Sequence, residues 1–149
     1  MAEALGLEVT GWDLEETKGG GPFEEILEHE VFVNCVYVSR KIPPFVAREM
    51  LERKGRSLSV ICDVSCDPNS DLNPLPIYSE CTDFATPCVR VAGGLDLIAI
   101  DHLPSLLPAE SSDDFSSQLL ASLLDLEADT SGVWARAKNV FTEKLGLLK

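Results

Sequence analysis

Acidic residues and a histidine follow directly after apolar runs in this sequence, and these residue types could bind a polar ligand or transfer a proton. Asp13 ends a short alternating segment, the segment 63–67 (Asp-Val-Ser-Cys-Asp) ends a longer apolar run, and Asp101-His102 ends the last one. Histidine titrates near neutral pH, so Asp101 and His102 could act as an acid–base pair. Neighbouring residues of an extended segment point to opposite sides, however, which disfavours a direct relay between them. They could instead only line a binding pocket.

Asp13 has two interpretations. In a dinucleotide-binding fold, an acidic residue at the end of an early strand accepts hydrogen bonds from the adenosine ribose and repels a 2′-phosphate. The other interpretation is an aspartate that caps a turn or a helix. The first requires a Gly-rich phosphate loop about 20 residues upstream. That position precedes Met1, and no G-x-G-x-x-G occurs in the chain. Either the chain is truncated or the dinucleotide fold is the wrong interpretation.

Apolar runs of strand length alternate with short helical segments up to residue 103. The predicted strands are 7–12, 31–38, 58–64, 87–91 and 95–100. A helical turn is predicted at 23–27, a helix between Pro43 and Gly55, and a long polar loop at 65–76. This alternation favours an α/β fold with a mostly parallel sheet, in which ligands bind beyond the carboxyl ends of the strands. We therefore expect a partial Rossmann-like, doubly wound domain over 1–103 that lacks its first strand and Gly-rich loop. Loss of that strand would leave two half-sheets with open edges.

Two amphipathic helices are predicted in a C-terminal segment, 104–149. Ser112 is the predicted cap of the first. The apolar faces, at helical spacing, are predicted to be core; they carry Phe115, Leu119, Leu120, Leu123 and Leu124 in the first helix and Trp134, Ala137, Phe141 and Leu145 in the second.

Composition excludes several classes of partner. The formal net charge of −13 repels nucleic-acid phosphates and anionic lipid surfaces. No apolar run approaches the roughly 20 residues that span a bilayer, and the N-terminal residues do not resemble a signal peptide, so we expect a cytoplasmic chain. Its five cysteines lack metal-site spacing, so we expect reduced thiols and no metal. Cys35 and Cys62 lie in apolar runs and are predicted to act as small hydrophobic residues.

Seven segments together resemble lysine-forming saccharopine dehydrogenase, in the order of that family. They are 12–17, 20–26, 32–39, 63–67, 73–78, 100–108 and 133–138. The segment 100–108, Ile-Asp-His-Leu-Pro-Ser-Leu-Leu-Pro, is the most specific of them. The resemblance implies an enzyme that oxidises saccharopine with NAD and releases L-lysine and 2-oxoglutarate, the last step of lysine biosynthesis by the aminoadipate route.

The resemblance also implies roles for individual residues. Asp13 and Thr17 would contact the adenosine ribose, and Tyr37 and Val64 would line the path from adenine to the nicotinamide ribose. The nicotinamide end would be lined by Ile100, Asp101, His102 and Leu103. The residues that would contact saccharopine are Ser65, Cys66 and Asp67.

The chain departs from this family because the N-terminal domain, with the lysine and histidine that transfer protons, has no counterpart in it. Neither His29 nor His102 matches that histidine, so the resemblance assigns no catalytic residue here. The expected partners are the small-molecule substrate and the missing N-terminal half, against which the two final helices would pack. The chain alone is predicted to be inactive. The alternatives are a non-catalytic binding remnant and a fragment of an alanine-dehydrogenase-like enzyme; the Asp-His-Leu-Pro-Ser stretch disfavours the latter.

Overall fold

A computed structural model describes residues 6–148 of the chain. The chain divides into two compact units, with the division between Leu103 and Pro104. In the first unit, helix α1 spans Leu14–Thr17 and α2 spans Arg48–Leu51, and a 3-10 helix covers Glu24–Glu28. Its four strands are β1 (Val31–Asn34), β2 (Val60–Asp63), β3 (Val89–Val91) and β4 (Leu95–Ile98).

The four strands form one sheet in the order β1-β2-β4-β3. The pairs β1–β2 and β2–β4 are parallel, with Val31 opposite Val60 and Ile61 opposite Leu97, whereas β3 pairs antiparallel with β4. The predicted α/β fold with a mostly parallel sheet is therefore confirmed at this level. The sheet is continuous, in contrast to the two half-sheets expected from the sequence. Strand β1 is the edge strand on its parallel side.

The prediction of a strand at 7–12 is wrong, since these residues adopt no strand in the structure. Alternation alone does not make a strand, because an extended segment also needs a neighbour to accept its backbone hydrogen bonds. Trp12 instead packs its ring against Phe23, with the centroids 5.0 Å apart in an edge-on arrangement. The other predicted strands all form, but they are shorter by two to four residues than the apolar runs.

The core of the first unit lies against the sheet and is made of side chains from α2, β2, β4 and the polar loop. Phe45, Val46, Leu58, Ile61 and Leu97 are all at most 1% exposed. Phe45 and Val46 precede α2 and Leu58 precedes β2, so burial extends beyond the regular elements. The same core fixes the end of the polar loop, because Leu75 in the loop and Ile77 just after it are both buried in that core.

Cys35 does not act as a buried hydrophobic residue, since it is exposed, and Cys62 is half-buried. Cys35 follows the end of β1, outside the ladder and the core. All five cysteines are free thiols.

The second unit contains helix α3 (Pro108–Leu124) and helix α4 (Val133–Gly146). Ser112 is not the cap: α3 begins at Pro108, and Ser112 Oγ donates to the Pro108 carbonyl at 2.7 Å. Proline suits the first position of a helix because its missing N–H has no intrahelical partner there. The turn between the helices is built on Asp125, whose carboxylate accepts from the backbone N–H groups of Thr130 and Ser131. These hydrogen bonds lower the pKa of Asp125 to about 2.

The apolar faces of α3 and α4 are not buried, which corrects the prediction that they form core. Neither helix contains a buried residue; Phe115 and Phe141 are each 66% exposed and Leu124 is 81% exposed. Two helices have too little surface to enclose a core of their own. In the described part of the chain, no helix is long and apolar enough to cross a membrane.

Candidate functional site

The candidate site lies where the parallel strands β1 and β2 end. Because β1, β2 and β4 are adjacent and parallel, their carboxyl ends meet at one edge of the sheet. A cavity of about 440 Å³ opens at this edge. Its lining comes from the residues after β1, the residues after β2 and the polar loop: Cys35, Val36, Tyr37, Val38, Asp63, Val64, Ser65, Asp67, Ser70, Leu72, Asn73 and Pro74.

Four of the residues predicted from the sequence line this cavity together: Tyr37, Val64, Ser65 and Asp67. Tyr37 is 90% exposed, so both faces of its ring are accessible to a planar ligand. Ser65 is held in place, because its Oγ donates to the Val36 carbonyl at 2.8 Å. The cavity thus combines an aromatic surface, a hydroxyl and a carboxylate.

Asp63 is the residue that holds this site together. It is 1% exposed, and its Oδ1 accepts from Asn34 Nδ2 at 2.9 Å and from the Cys66 N–H at 3.1 Å. Its Oδ2 accepts from the Tyr78 hydroxyl at 2.7 Å. A buried carboxylate is tolerated only when it is hydrogen-bonded in this way. The network joins the ends of β1 and β2 to the far end of the polar loop.

Burial, and then the hydrogen bond to Asp63, raises the pKa of Tyr78 above its ordinary value. The phenol therefore stays protonated and donates to the carboxylate. Neither Asn34 nor Tyr78 was among the site residues predicted from the sequence. The available signal for Asn34 was an amide in an otherwise apolar run, since such a group must find a partner when it is buried.

Cys66 lies behind the cavity and does not line it. Its side chain is buried, and its Sγ contacts the Ala99 carbonyl at 3.0 Å and Cys81 Sγ at 3.4 Å. Its backbone adopts a φ of 42°, in the left-handed region. The position of the neighbouring residues 65 and 67 follows from this turn.

Asp13 and Thr17 lie at the two ends of the short helix α1. Asp13 Oδ1 accepts from the Leu14 N–H at 2.7 Å, and the Glu16 carboxylate accepts from the Asp13 N–H at 2.8 Å, which is a capping box. Thr17 is 5% exposed, and its hydroxyl donates to the Asp13 carbonyl at 2.8 Å. The capping interpretation of Asp13 is confirmed.

The residues 100–103 follow β4 at the same edge of the sheet but do not line the cavity. Ile100 is buried, whereas Asp101 and His102 are exposed. The His102 ring meets Phe84 edge-on at a centroid distance of 4.9 Å. No contact joins Asp101 to His102 among the described hydrogen bonds.

The sheet and the cavity define the class of the first unit: an α/β protein with a cleft at the carboxyl edge of a mostly parallel sheet. No model of a known protein family matches the chain. Among curated proteins, the chain is similar to enzymes named saccharopine dehydrogenase, NAD(+), L-lysine-forming, in several fungi. The relative in Neurospora crassa is 50% identical over 94% of this chain and 39% of its own length.

The relative in Schizosaccharomyces pombe is 47% identical over 95% of this chain and 41% of its own length. The relative in Emericella nidulans is 48% identical over 99% of this chain and 43% of its own length. The chain is thus homologous to the C-terminal portion of the lysine-forming saccharopine dehydrogenases. It spans about two fifths of the length of these relatives.

Proposed function

We propose that the chain is part of an NAD-dependent saccharopine dehydrogenase, to which it contributes one wall of the dinucleotide cleft and part of the substrate site. The reaction is saccharopine, NAD+ and water to L-lysine, 2-oxoglutarate and NADH. The observation that carries this proposal is the 50% identity to an enzyme of that name over 94% of the chain. The cavity at the carboxyl edge of the sheet supports it, because that is where α/β sheets bind ligands.

The residues present fit an adenosine and a ribose better than a phosphate. Tyr37 offers an exposed ring for stacking, and Asp13 offers a carboxylate for ribose hydroxyls. Thr17 positions Asp13 through its hydrogen bond to the Asp13 carbonyl. In this assignment Val64 lines the nicotinamide-ribose side, and residues 100–103 line the nicotinamide end. NAD, when bound, supplies the hydride acceptor.

The substrate is assigned to the segment that follows β2. The exposed carboxylate of Asp67 can pair with an ammonium group of saccharopine. The Ser65 hydroxyl donates its proton to the Val36 carbonyl, so its oxygen can accept a hydrogen bond from the same ammonium group. Cys66 contributes its backbone, since its thiol is buried behind the cavity. No residue of this segment is assigned a proton-transfer role.

We assign catalysis to a complex of this chain with a segment that corresponds to the rest of the relatives' length. Two features of the described residues support a protein partner. Strand β1 is at the end of the sheet, and Val31 and Val33 on one of its faces are 54% and 52% exposed. The second unit carries exposed apolar residues along α3 and α4. Extended apolar surfaces of this kind mark protein–protein contacts.

The test is NAD binding by calorimetry on the purified chain, repeated after addition of the complementary portion of the Neurospora crassa relative. Binding and saccharopine oxidation that arise only on mixing are the expected results. Absence of NAD binding in both experiments would rule out the dinucleotide assignment. Turnover of saccharopine by the chain alone would instead rule out the need for a partner.

A further inference from the structure

Cys66 and Cys81 are fifteen residues apart in sequence, and their sulfur atoms lie 3.4 Å apart. Cys66 is 6% exposed, whereas Cys81 is exposed and lines a second cavity of about 400 Å³. One thiol is therefore shielded and the other is open to small reagents. A disulfide needs sulfur atoms about 2 Å apart, so a small movement would join them.

Separate contacts to Ala99 hold both cysteines in place. Cys66 Sγ donates to the Ala99 carbonyl at 3.0 Å. Thr82, which follows Cys81, donates its N–H to the same carbonyl at 2.8 Å and accepts from the Ala99 N–H at 2.9 Å. Because both segments are anchored to one residue, the proximity of the two sulfur atoms is a property of the packed fold.

The segment between the two cysteines forms one wall of the candidate site. It contributes five residues to the cavity at the sheet edge: Asp67, Ser70, Leu72, Asn73 and Pro74. This wall is an irregular loop without strand pairing, so its two ends control how far it can move. A covalent bond between residues 66 and 81 would close it into a ring.

We propose that Cys66 and Cys81 form a reversible disulfide, with a peroxide as the oxidant, that fixes the loop wall of the candidate site. The Cys81 sulfur attacks one oxygen of hydrogen peroxide, which breaks the O–O bond and gives a sulfenic acid and one water. The Cys66 sulfur then attacks the Cys81 sulfur, which breaks the S–O bond, forms the disulfide and releases the second water. The two thiols lose two electrons and two protons, and a dithiol reductant reverses the change.

The second step depends on pH. Burial, followed by the hydrogen bond to Cys81 and the charge of Asp63, raises the pKa of the Cys66 thiol to about 12. Since the thiolate is the attacking form, disulfide closure is expected to become roughly tenfold faster for each unit by which the pH rises toward that value.

The experiment oxidises the full chain with hydrogen peroxide, blocks the remaining thiols by alkylation, and digests it with a protease that cleaves before aspartate. This cleavage places Cys66 in peptide 63–66, Cys81 in 71–82 and Cys88 in 83–95. The expected product joins 63–66 to 71–82 with the loss of two hydrogen atoms, and it disappears on reduction. Amide exchange in 67–80 is expected to slow severalfold in the oxidised chain.

Cys81→Ser replaces an exposed thiol by a hydroxyl and is expected to abolish the product, whereas the matched variant Cys88→Ser, also at an exposed position, is expected to leave its yield unchanged. The proposal is overturned if Cys81 joins mainly to Cys88, or if Cys66 remains open to alkylation after unfolding of the oxidised chain. Any effect of the disulfide on NAD affinity in the mixed complex rests on the proposed function. Formation of the disulfide is read from the peptides alone, so failure of one proposal is distinguishable from failure of the other.

Discussion

At the scale of single residues, the candidate site depends on Asp63. This carboxylate accepts three hydrogen bonds in a buried position, from Asn34, Cys66 and Tyr78. Each donor comes from a different part of the first unit, so one side chain fixes the relative positions of two strand ends and the loop. A carboxylate is suited to this role because it accepts several hydrogen bonds and donates none.

Asp13→Asn is expected to weaken NAD binding by the mixed complex and to reduce its discrimination against NADP. Asparagine caps helices about as well as aspartate, so α1 is retained while the negative charge is lost. The measurement is the ratio of the two dissociation constants by calorimetry. Glu15→Gln, a neutralised exposed carboxylate in the same helix, is the control. An unchanged ratio in Asp13→Asn would remove Asp13 from the ribose site.

The chain is expected to lose stability at alkaline pH because of Cys66 and Tyr78. Both pKa values are raised in the folded state. The stabilisation from such groups is complete below the unfolded pKa and is lost as pH rises through the folded value. For Cys66 that window runs from 9.0 to about 12. The free energy of unfolding in urea, measured from pH 8 upward, is therefore expected to fall above pH 9.

Tyr78→Phe removes the tyrosine share of this effect, so its stability is expected to fall less steeply above pH 10. Tyr37→Phe is the matched control, because the Tyr37 ring is 90% exposed. The assignment fails if both variants follow the parent profile.

At the scale of elements, the antiparallel pair β3–β4 depends on the close approach of its turn to α2. Gly93 has a φ of 70°, and a Cβ atom there would collide with the Leu51 carbonyl. Arg56 donates to both the Leu51 and Gly93 carbonyls and so ties the turn to the end of α2. Gly94 has a φ of 74° but has open space where its Cβ would lie.

Gly93→Ala is expected to cost roughly 2–4 kcal/mol of stability, because it combines an unfavourable φ with a steric clash. Gly94→Ala is expected to cost only about 1 kcal/mol, since it has the unfavourable φ alone. Urea unfolding of the two variants gives the difference. Equal losses would show that the contact with Leu51 adjusts without cost.

At the scale of the whole molecule, a double variant tests whether β1 contacts a partner. It carries Val31→Lys and Val33→Lys. Both side chains are more than half exposed, so the chain itself is expected to keep its stability within about 0.5 kcal/mol. Association with the complementary segment is expected to weaken at least tenfold, because two charges would lose water on binding. The measurement is the dissociation constant of the mixed complex by calorimetry.

The control is a second double variant, Ala85→Lys and Thr86→Lys. It adds the same charge at exposed positions away from β1. If this control weakens association as much as the β1 variant does, the effect is one of net charge. The proposed contact at β1 would then be withdrawn.

The sequence by itself determined the elements whose signals are local. The apolar runs that became β1, β2 and β4, the periodic segments that became α3 and α4, and the polar loop were all predicted. The position of the candidate site after β1 and β2 followed from the same pattern, because parallel strands end at one edge. The relationship to saccharopine dehydrogenases also followed from the sequence, through residues such as 100–108.

Only the tertiary structure decided which segments pair and which side chains become buried. The alternation at 7–12 predicted a strand, but a strand forms only where another backbone accepts its hydrogen bonds. The apolar faces of α3 and α4 are exposed in the structure. Helical periodicity predicts which side of a helix is apolar, but it does not predict which other segment packs against that side. The contacts of Asp63 with Tyr78 and of Cys66 with Cys81 join residues fifteen positions apart across an irregular loop. No local spacing rule encodes such a contact, since it depends on how the whole core closes.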